Sequence, residues 1–269
     1  MDRNPQGKQM ADESMVRNLA AQAEAIWPQE EPLCRRYAPT AILDVGCGTG
    51  EITSRLAAMF PDARVTGVDI IEAHLELARD RHARFGERVT FQTGDAFALP
   101  FGDAAFDLVV CRHLLQAVPD APRVLAELVR VCKPGGYLHV IAEDYDMIHA
   151  APTRLDVGDF WHRAPRAFAK ATNTDLHIGR SIYHHLRRLP VEDIAVNYMI
   201  VDTLRVPRAT FAAIFTAWRD GYADATAEAL GITVVEARDY FDATIEAILD
   251  PDAFALWVVP LVVARVRTP

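Results

Sequence analysis

The most constraining feature of this chain is a strand-like run that ends in three closely spaced glycines. In the segment AILDVGCGTGEIT, the apolar residues Ala41–Val45 lead to Gly46, Gly48 and Gly50 and then to a helical pattern. Glycines let the backbone turn tightly and approach a ligand without a Cβ in the way, and a helix start presents free N–H groups. Asp69 ends the next apolar segment, 19 positions after Gly50, where a carboxylate can bind both ribose hydroxyls. The pattern predicts a nucleoside-binding site.

The glycine spacing helps to separate two kinds of nucleotide site. In the dinucleotide fingerprint GxGxxG, the third glycine comes three positions after the second. Here Gly50 comes two positions after Gly48, and Asp44 stands two positions before Gly46. A carboxylate beside the glycine turn repels a pyrophosphate but attracts an ammonium group. The pattern therefore favours a cationic nucleoside over a nicotinamide dinucleotide.

Strand patterns alternate with helical patterns along the first half of the chain. Crossover units of this kind imply a parallel sheet with helices on both faces. We expect an α/β fold, with a Rossmann-like, doubly wound, mostly parallel sheet of seven strands and helical lid insertions. The predicted strands are 41–45, 64–69, 88–92, 106–111, 137–142, 194–203 and 254–267.

Changes in composition divide the chain into four expected segments. Pro28 and Pro32 should end the N-terminal helix, because proline lacks the N–H that a helix interior needs. We expect the C-terminal segment to belong to the same domain as the core. The segments are a disordered tail (1–11), an N-terminal lid helix (12–37), a cofactor-binding α/β core (38–150), and helical insertions plus the last two strands as a substrate lid (151–269).

Composition argues against several classes of protein. The chain has 28 basic and 37 acidic residues and a net charge of −9, a poor match to a phosphate backbone, so we expect no nucleic-acid partner. Its four cysteines show no CxxC pair and no zinc-ligand spacing with the nine histidines, which predicts reduced thiols and no metal. The N-terminus lacks the apolar core of a signal peptide, and the apolar runs are too short to span a bilayer. We expect a cytoplasmic protein without a membrane partner.

Five sequence segments, in order, carry a family resemblance. They are DVGCGTG, VDI, GDAFALPF, DLVVCRHLLQAV and LVRVCKPGGYLHV. With this order and spacing the chain resembles the class I S-adenosylmethionine-dependent methyltransferases, most closely the small-molecule branch that includes the ubiquinone/menaquinone-type enzymes. The resemblance covers residues 38–145 strongly and the C-terminal segment more loosely. It implies S-adenosylmethionine as the cofactor and S-adenosylhomocysteine as its product, but it is far less specific for the substrate.

The resemblance also implies roles for individual residues of the cofactor site. Asp44 would lie near the methionine ammonium, and the glycine loop, with Cys47 as a small spacer, would wrap the methionine and ribose. Asp69 would bind the ribose hydroxyls, and Ile70 would pack on the adenine. Asp95 would accept from the adenine amino group or merely cap a turn. The remaining members are Ala96, whose N–H would reach an adenine ring nitrogen; Cys111, whose carbonyl would face the ammonium; Arg112 beside it; and Gln116, either at the methionine end or on a surface helix.

The substrate is expected beyond the carboxyl ends of the fourth and fifth strands. His113 follows the fourth strand, and the run Glu143, Asp144, Tyr145, Asp146 and His149 follows the fifth. The acidic run is either an anionic collar for an amine or a polar heterocycle, or a solvated loop. His113 and His149 are candidate general bases because imidazole titrates near neutral pH, although a lone histidine is more often structural. Tyr145 would orient a substrate hydroxyl or amine, or pack beside the sheet.

Two aromatic stripes mark the helical insertions. Trp161 lies in the first and Trp218 in the second, and both stripes are most simply the cores of these insertions. We also expect the helices, together with Arg17 and Gln22 of the N-terminal helix, to cover an apolar pocket in which Trp161 contacts the substrate. Excluding water in this way would suit methyl transfer to a planar or hydrophobic small molecule.

Three functions are compatible with the sequence. The first is a methyltransferase of specialised metabolism acting on oxygen or nitrogen of a small molecule, by in-line displacement with or without a general base. The second is a methyltransferase acting on nucleic acid or protein, and the third is a non-catalytic protein that binds S-adenosylmethionine. The small-molecule enzyme, as a monomer or homodimer, is favoured because the chain is acidic and its cofactor residues are intact.

Overall fold

The computed structural model describes residues 3–268, which form one mixed β-sheet flanked by helices. Within these residues eight strands join in the order β3–β2–β1–β4–β5–β8, and both β6 and β7 also pair with β8. The strands are β1 (Ala41–Val45), β2 (Arg64–Asp69), β3 (Val89–Thr93), β4 (Phe106–Arg112), β5 (Cys132–Ile141), β6 (Ile148–Ala151), β7 (Val191–Asp202) and β8 (Phe254–Val266).

The sheet reverses its winding direction at β1, which creates a crevice for a ligand. Strands β1 to β5 are parallel, and β8 runs antiparallel to β5, β6 and β7. Strand β1 lies between β2 and β4, so the connections on its two sides wind in opposite directions and separate at the carboxyl end of β1. Val45 of β1 is in register with Val68 of β2 and Cys111 of β4, so the predicted ligand residues follow three adjacent strand ends. The predicted fold class is confirmed.

Two strand predictions were wrong in detail. The sheet has eight strands in residues 3–268 and not seven, because Ile148–Ala151 pairs with residues 254–257 of β8. This four-residue segment has no periodic pattern of its own, and its pairing depends on β8. Strand β5 begins at Cys132 and not at Tyr137, because Cys132 pairs with Phe106 across an irregularity in the ladder.

Helices cover both faces of the sheet. The long helices after residue 150 follow the predicted aromatic stripes. The helices are α1 (Gly7–Met10), α2 (Glu13–Cys34), α3 (Glu51–Met59), α4 (Glu72–Arg81), α5 (Ala121–Val131), α6 (Val157–Thr172), α7 (Ile182–Leu186), α8 (Arg208–Leu230) and α9 (Val234–Leu249).

The N-terminal region departs from the sequence prediction. Helix α2 continues through Pro28 and Pro32 to Cys34, because its buried face packs on the sheet and on α8 and so offsets the missing backbone hydrogen bonds. The predicted disorder of residues 1–11 is wrong for residues 5–10, which contain α1; residues 1 and 2 lie outside the described part. The buried Gln6 side chain donates from Nε2 to the Gln116 carbonyl at 3.3 Å, which anchors this segment.

The core is divided between the two faces of the sheet. One apolar cluster lies between the sheet and α5, and another lies beneath α2, α6, α8 and α9. The second is rich in aromatic side chains, such as Phe160, Phe211 and Phe215, which are fully buried. No helix within residues 3–268 is both long and apolar enough to cross a membrane.

Candidate active site

The glycine loop after β1 has the conformation that its sequence predicts. Gly46, Gly48 and Gly50 have φ angles of +75°, +51° and +79°, a region that other residues rarely adopt. The Gly48 N–H donates to Asp69 Oδ2 at 2.8 Å, so the carboxylate at the end of β2 holds the loop. A Cβ at Gly48 would lie 2.6 Å from Leu19 Cδ1 of α2. The loop is therefore closely covered by the N-terminal helix.

Asp44 is a buried carboxylate in β1, two residues before the glycine loop. Its side chain accepts a hydrogen bond of 2.6 Å from the Thr53 hydroxyl. Burial raises the pKa of Asp44 to about 6, although Thr53 and Arg112 act in the opposite direction. A ligand ammonium beside Asp44 would stabilise its ionised form. This is the environment expected for the methionine end of a cationic nucleoside.

One cavity suits the adenosine part of such a ligand. It measures about 410 Å³ and contains most of the residues predicted for ribose and adenine. Asp95 in this cavity forms an ion pair of 2.5 Å with Arg3, which also lies 5.7 Å from the centre of the Phe97 ring. The sequence analysis did not predict this contribution of the N-terminal segment. The predicted residues that line the cavity are Gly46, Asp69, Ile70, Asp95 and Ala96.

A second cavity, of about 350 Å³, shares the lining residue Gly46 with the first. It is lined by Asp44, Cys47 and Arg112, together with Leu19 and Gln22 of α2 and His113. Arg112 Nη2 lies 3.0 Å from Glu30 Oε2. The Arg112 atoms Nε and Nη2 are buried and lack hydrogen-bond partners with acceptable geometry. The cavity thus offers a carboxylate for an ammonium group and a guanidinium for a carboxylate group.

A third pocket, of about 730 Å³ including its open mouth, adjoins the second through Leu19, Gln22 and His113. Its walls are rich in aromatic side chains, which is typical of small-molecule sites. The sequence analysis predicted Trp161, Tyr145 and Glu143 here. Residues that it did not assign to the site include Asn18, Met10, Met15, Phe168, Tyr222 and Phe241.

His113 lies where the second and third pockets meet, and its geometry is unusual. Its backbone φ angle is +53°, which raises the conformational energy of a residue other than glycine by about 1–3 kcal/mol. Its Nδ1 lies 2.6 Å from Glu143 Oε1, and its buried Nε2 has no hydrogen-bond partner. The sequence analysis named both residues but did not pair them. They meet because β4 and β5 are adjacent and parallel, so their carboxyl ends lie side by side.

Several predicted site residues lie elsewhere. His149 is exposed on β6 and lines none of the three cavities described here. Gln116 lines the aromatic pocket and neither cofactor cavity, and its Nε2 donates to the His113 carbonyl at 2.6 Å. Cys111 lines none of the three, and burial raises the pKa of its thiol. Asp144 is fully buried and bound by Arg180 at 2.5 Å, so the anionic collar is wrong for this residue.

Within residues 3–268, two clusters of potential metal ligands already form ion pairs with neighbouring side chains. Glu30, Cys34 and His139 have ligand atoms within 4.8 Å of one another, but Glu30 already binds Arg112 and His139. In the second cluster Asp144 and Asp146 are bound by arginines, and His177 completes the set. Both clusters are explained as ion-pair networks. The expected absence of a metal stays a prediction.

Comparisons with known proteins bear on the cofactor site. Residues 42–136 match a family model described as a methyltransferase domain. The chain is 47% identical over 98 residues to the demethylmenaquinone methyltransferase of Symbiobacterium thermophilum, covering 35% of this chain and 39% of that protein. It is 42% identical over 99 residues to the 27-O-demethylrifamycin SV methyltransferase of Amycolatopsis mediterranei, covering 36% of each. The matches thus cover less than half the length of these curated relatives.

Solved structures extend the likeness over the whole fold. The chain is similar to the 4+2 cyclase SpnF, with a TM-score of 0.62 and 21% identity, covering 100% of this chain and 98% of that one. It is also similar to phosphoethanolamine N-methyltransferase 2 of Haemonchus contortus in complex with S-adenosylmethionine. That similarity has a TM-score of 0.59 and 19% identity, and covers 97% of this chain and 60% of that one. At such identities the likeness shows the fold alone, and these two proteins differ in their named reactions.

Residues 42–136 thus resemble a methyltransferase domain in sequence, and the fold and the glycine loop agree with the class I, S-adenosylmethionine-dependent type. The resemblance inferred from the sequence is confirmed, and residues 42–136 carry it. Because the matched segments cover only part of the chain and of its relatives, the activity and substrate of the whole protein are proposals.

Proposed function

We propose that this protein transfers a methyl group from S-adenosylmethionine to a hydroxyl oxygen of a small aromatic molecule, with an amine nitrogen as the second candidate acceptor. The observation that carries the proposal is the His113–Glu143 pair. His113 Nδ1 lies 2.6 Å from Glu143, and His113 lines both the expected methionine cavity and the aromatic pocket. A base at this junction would lie between a methyl donor in one cavity and a methyl acceptor in the other.

The residues present fit the proposed cofactor. Asp44 would hold the ammonium of its methionine part, and Arg112, whose Nε has no hydrogen-bond partner, would hold the carboxylate. Asp69 would bind the ribose, and Asp95 the adenine amino group. When bound, S-adenosylmethionine would supply a methyl group on a positively charged sulfur; the methyl–sulfur bond would break as the acceptor attacks in line, and S-adenosylhomocysteine would be the leaving group.

The pair gives His113 a defined role in the proposed reaction. Glu143 accepts the Nδ1–H of His113, which leaves Nε2 as the proton acceptor. Nε2 takes the proton of the substrate hydroxyl as the new C–O bond forms, and the imidazolium later returns this proton to solvent. The strained backbone of His113 is explained if it aims the ring at the acceptor. A hydroxyl is the leading acceptor because it needs this deprotonation, whereas a neutral amine can attack before it loses a proton.

The pocket favours a small molecule over a macromolecule. Helices α2, α6, α8 and α9 supply most of its walls, and aromatic side chains fill the spaces between them. A nucleic acid would meet an acidic chain, with a net charge of −9. The non-catalytic alternative gives no reason for the strained His113 and its buried partner Glu143. We therefore propose a small-molecule methyl acceptor as the partner.

Methyl transfer to a set of hydroxylated and aminated bicyclic aromatics, followed by mass spectrometry, tests the proposal. His113→Asn should lower kcat by about 10²–10⁴-fold and leave the Kd for S-adenosylhomocysteine within a few-fold of wild type. His149→Asn is the matched control, because this histidine is exposed and outside the cavities, and it should keep wild-type activity. An active protein with unchanged kcat in His113→Asn would refute the base. A protein that does not bind S-adenosylhomocysteine would refute the cofactor.

A further inference from the structure

We infer that the substrate carries, beside its reacting group, a second hydrogen-bond donor, and that it carries no negative charge. This inference rests on the proposed function, because it concerns the acceptor pocket of the same site. It identifies Asn18 and Gln116 as the residues that select this feature. Neither residue was assigned to substrate recognition by the sequence.

The polar atoms without partners in this pocket are mainly acceptors. Asn18 Oδ1, Gln116 Oε1 and Glu143 Oε2 are buried and have no hydrogen-bond partner, and all three residues line the pocket. Gln22 Oε1, at the junction with the methionine cavity, is in the same state. A buried acceptor without a partner is unfavourable, so a ligand that brings donors is favoured.

The orientation of the Gln116 amide is set by its neighbours. Its Nε2 donates to the His113 carbonyl at 2.6 Å, which leaves Oε1 as the free end. The Gln116 carbonyl is in turn bound by Gln6 Nε2 at 3.3 Å. Gln116 is therefore held beside the proposed base, where its free oxygen is suited to a group adjacent to the reacting hydroxyl.

Two donors in the pocket walls are already engaged within the protein. Trp161 Nε1 donates to the Thr244 hydroxyl at 3.1 Å, and the Tyr222 hydroxyl donates to Gln6 Oε1 at 3.4 Å. These groups pack against a ligand but do not have a free proton to offer it. Neither of these two groups is therefore available to donate to a ligand.

The charge of the pocket disfavours an anion. Among the described residues that line it there is no lysine or arginine, and Glu143 contributes a carboxylate. The nearby Arg112 is paired with Glu30 and lines the adjoining methionine cavity. A substrate carboxylate or phosphate would be buried among aromatic rings without a cation, which is strongly unfavourable.

A matched series of bicyclic probes tests the inference by binding. The probes are 2-naphthol, 2,3-dihydroxynaphthalene, 3-amino-2-naphthol and 3-hydroxy-2-naphthoate, which differ only in the group beside the hydroxyl. Titration calorimetry would be done on the protein saturated with S-adenosylhomocysteine. The diol and the aminonaphthol should each bind at least tenfold more tightly than 2-naphthol and the naphthoate, and the tighter of the two identifies the second donor. If 2-naphthol or the naphthoate binds as tightly as the diol, or if no probe binds, the inference is wrong.

Variants assign the selection to particular residues. In the double variant Asn18→Leu/Gln116→Met, which keeps side-chain size and removes both free acceptors, the tenfold preference should be lost. Leu176→Met is the matched control, because it changes an apolar residue that lines only this pocket and alters no acceptor, and it should keep the preference. A double variant that is folded by thermal melting and still prefers the diol refutes the assignment. If it does not fold, the wild-type series remains decisive for the inference.

The two proposals can fail separately. Selective binding of the diol without methyl transfer, as measured by mass spectrometry, would refute the proposed function and support the pocket chemistry. Methyl transfer to the probes without the tenfold preference would refute the pocket chemistry and support the methyltransferase proposal.

Discussion

Glu30 Oε2 of α2 lies 3.0 Å from Arg112 Nη2 at the end of β4, and both side chains are buried. Glu30 Oε1 also lies 3.0 Å from His139 Nε2 on β5. Burial alone would raise the pKa of Glu30, but Arg112 and His139 lower it below its ordinary value. Because Arg112 lines the methionine cavity, this network ties the N-terminal helix to the cofactor site.

Removing Glu30 should destabilise the protein strongly. Glu30→Leu leaves the Arg112 charge buried without a counter-charge, which typically costs about 3–5 kcal/mol in the free energy of unfolding. Urea denaturation measures this loss. Glu13→Gln is the control on the same helix, because Glu13 forms an exposed pair with Arg17, and it should cost less than about 1 kcal/mol. Equal losses in the two variants would contradict a structural role for the buried pair.

Asp44 should make the cofactor-free protein less stable as the pH rises. The pKa of Asp44 is about 6 in the folded protein, whereas the ordinary value, expected in the unfolded chain, is 3.8. The contribution of Asp44 to the free energy of unfolding is therefore fully favourable below pH 3.8 and is lost as the pH rises through 6. The loss is on the order of 3 kcal/mol. Asp44→Asn should therefore be more stable than wild type at pH 8 by up to about that amount, and by less at pH 5. Urea denaturation at the two pH values measures this difference, and a difference that does not depend on pH would contradict it.

The same carboxylate should make cofactor binding depend on pH. If the ammonium group binds ionised Asp44, a proton must leave Asp44 when the ligand binds below pH 6. The Kd for S-adenosylhomocysteine should therefore rise about tenfold for each unit by which the pH falls below 6. Titration calorimetry from pH 5 to pH 8 measures this slope. In Asp44→Asn the binding should be weaker and its pH dependence flatter. A flat wild-type profile would argue against contact with the ammonium.

Gly48 should be intolerant of a side chain for two separable reasons. Gly48→Ala would adopt a φ of +51°, at a cost of about 1 kcal/mol, and its Cβ would lie 2.6 Å from Leu19 Cδ1. We expect weaker binding of S-adenosylhomocysteine, partly restored by adding Leu19→Ala. Gly231→Ala is the control, because Gly231 has a φ of +69° but no atom within 4 Å of its Cβ position. Gly231→Ala should lose stability but keep its affinity for S-adenosylhomocysteine. If adding Leu19→Ala to Gly48→Ala does not restore binding, the loss in Gly48→Ala is due to backbone strain alone.

Arg3 should compete with the adenine amino group for Asp95. The Arg3–Asp95 pair is partly exposed, so it is worth at most about 1 kcal/mol. Arg3→Ala should therefore lower the Kd for S-adenosylhomocysteine by up to about fivefold, as measured by calorimetry. Arg123→Ala is the matched control, because Arg123 lies 5.6 Å from the same Phe97 ring and has no ion pair with Asp95 among the described contacts. Weaker binding in Arg3→Ala would instead make Arg3 part of the adenine site.

Most of the predicted cofactor residues lie together in the structure. Asp44, Gly46, Asp69 and Asp95 lie at or near strand ends in a fixed order, and they line two cavities that share Gly46. Gln116 was assigned to the methionine end by the family resemblance, and Asp144 was assigned from its position after the fifth strand. The Gln116 side chain instead donates to the carbonyl of His113, three residues earlier, and Asp144 is bound by Arg180, 36 residues later in the chain.

The amino-acid sequence by itself determined the alternation of strands and helices, the glycine turn and the carboxylates that follow each strand, because these depend on local periodicity and backbone freedom. Only the tertiary structure decided that α2 passes through two prolines, that Ile148–Ala151 pairs with β8, and that His113 meets Glu143. The physical reason is the same in each case. These features depend on packing and on strand register between segments far apart in the chain, and a local pattern does not contain that information.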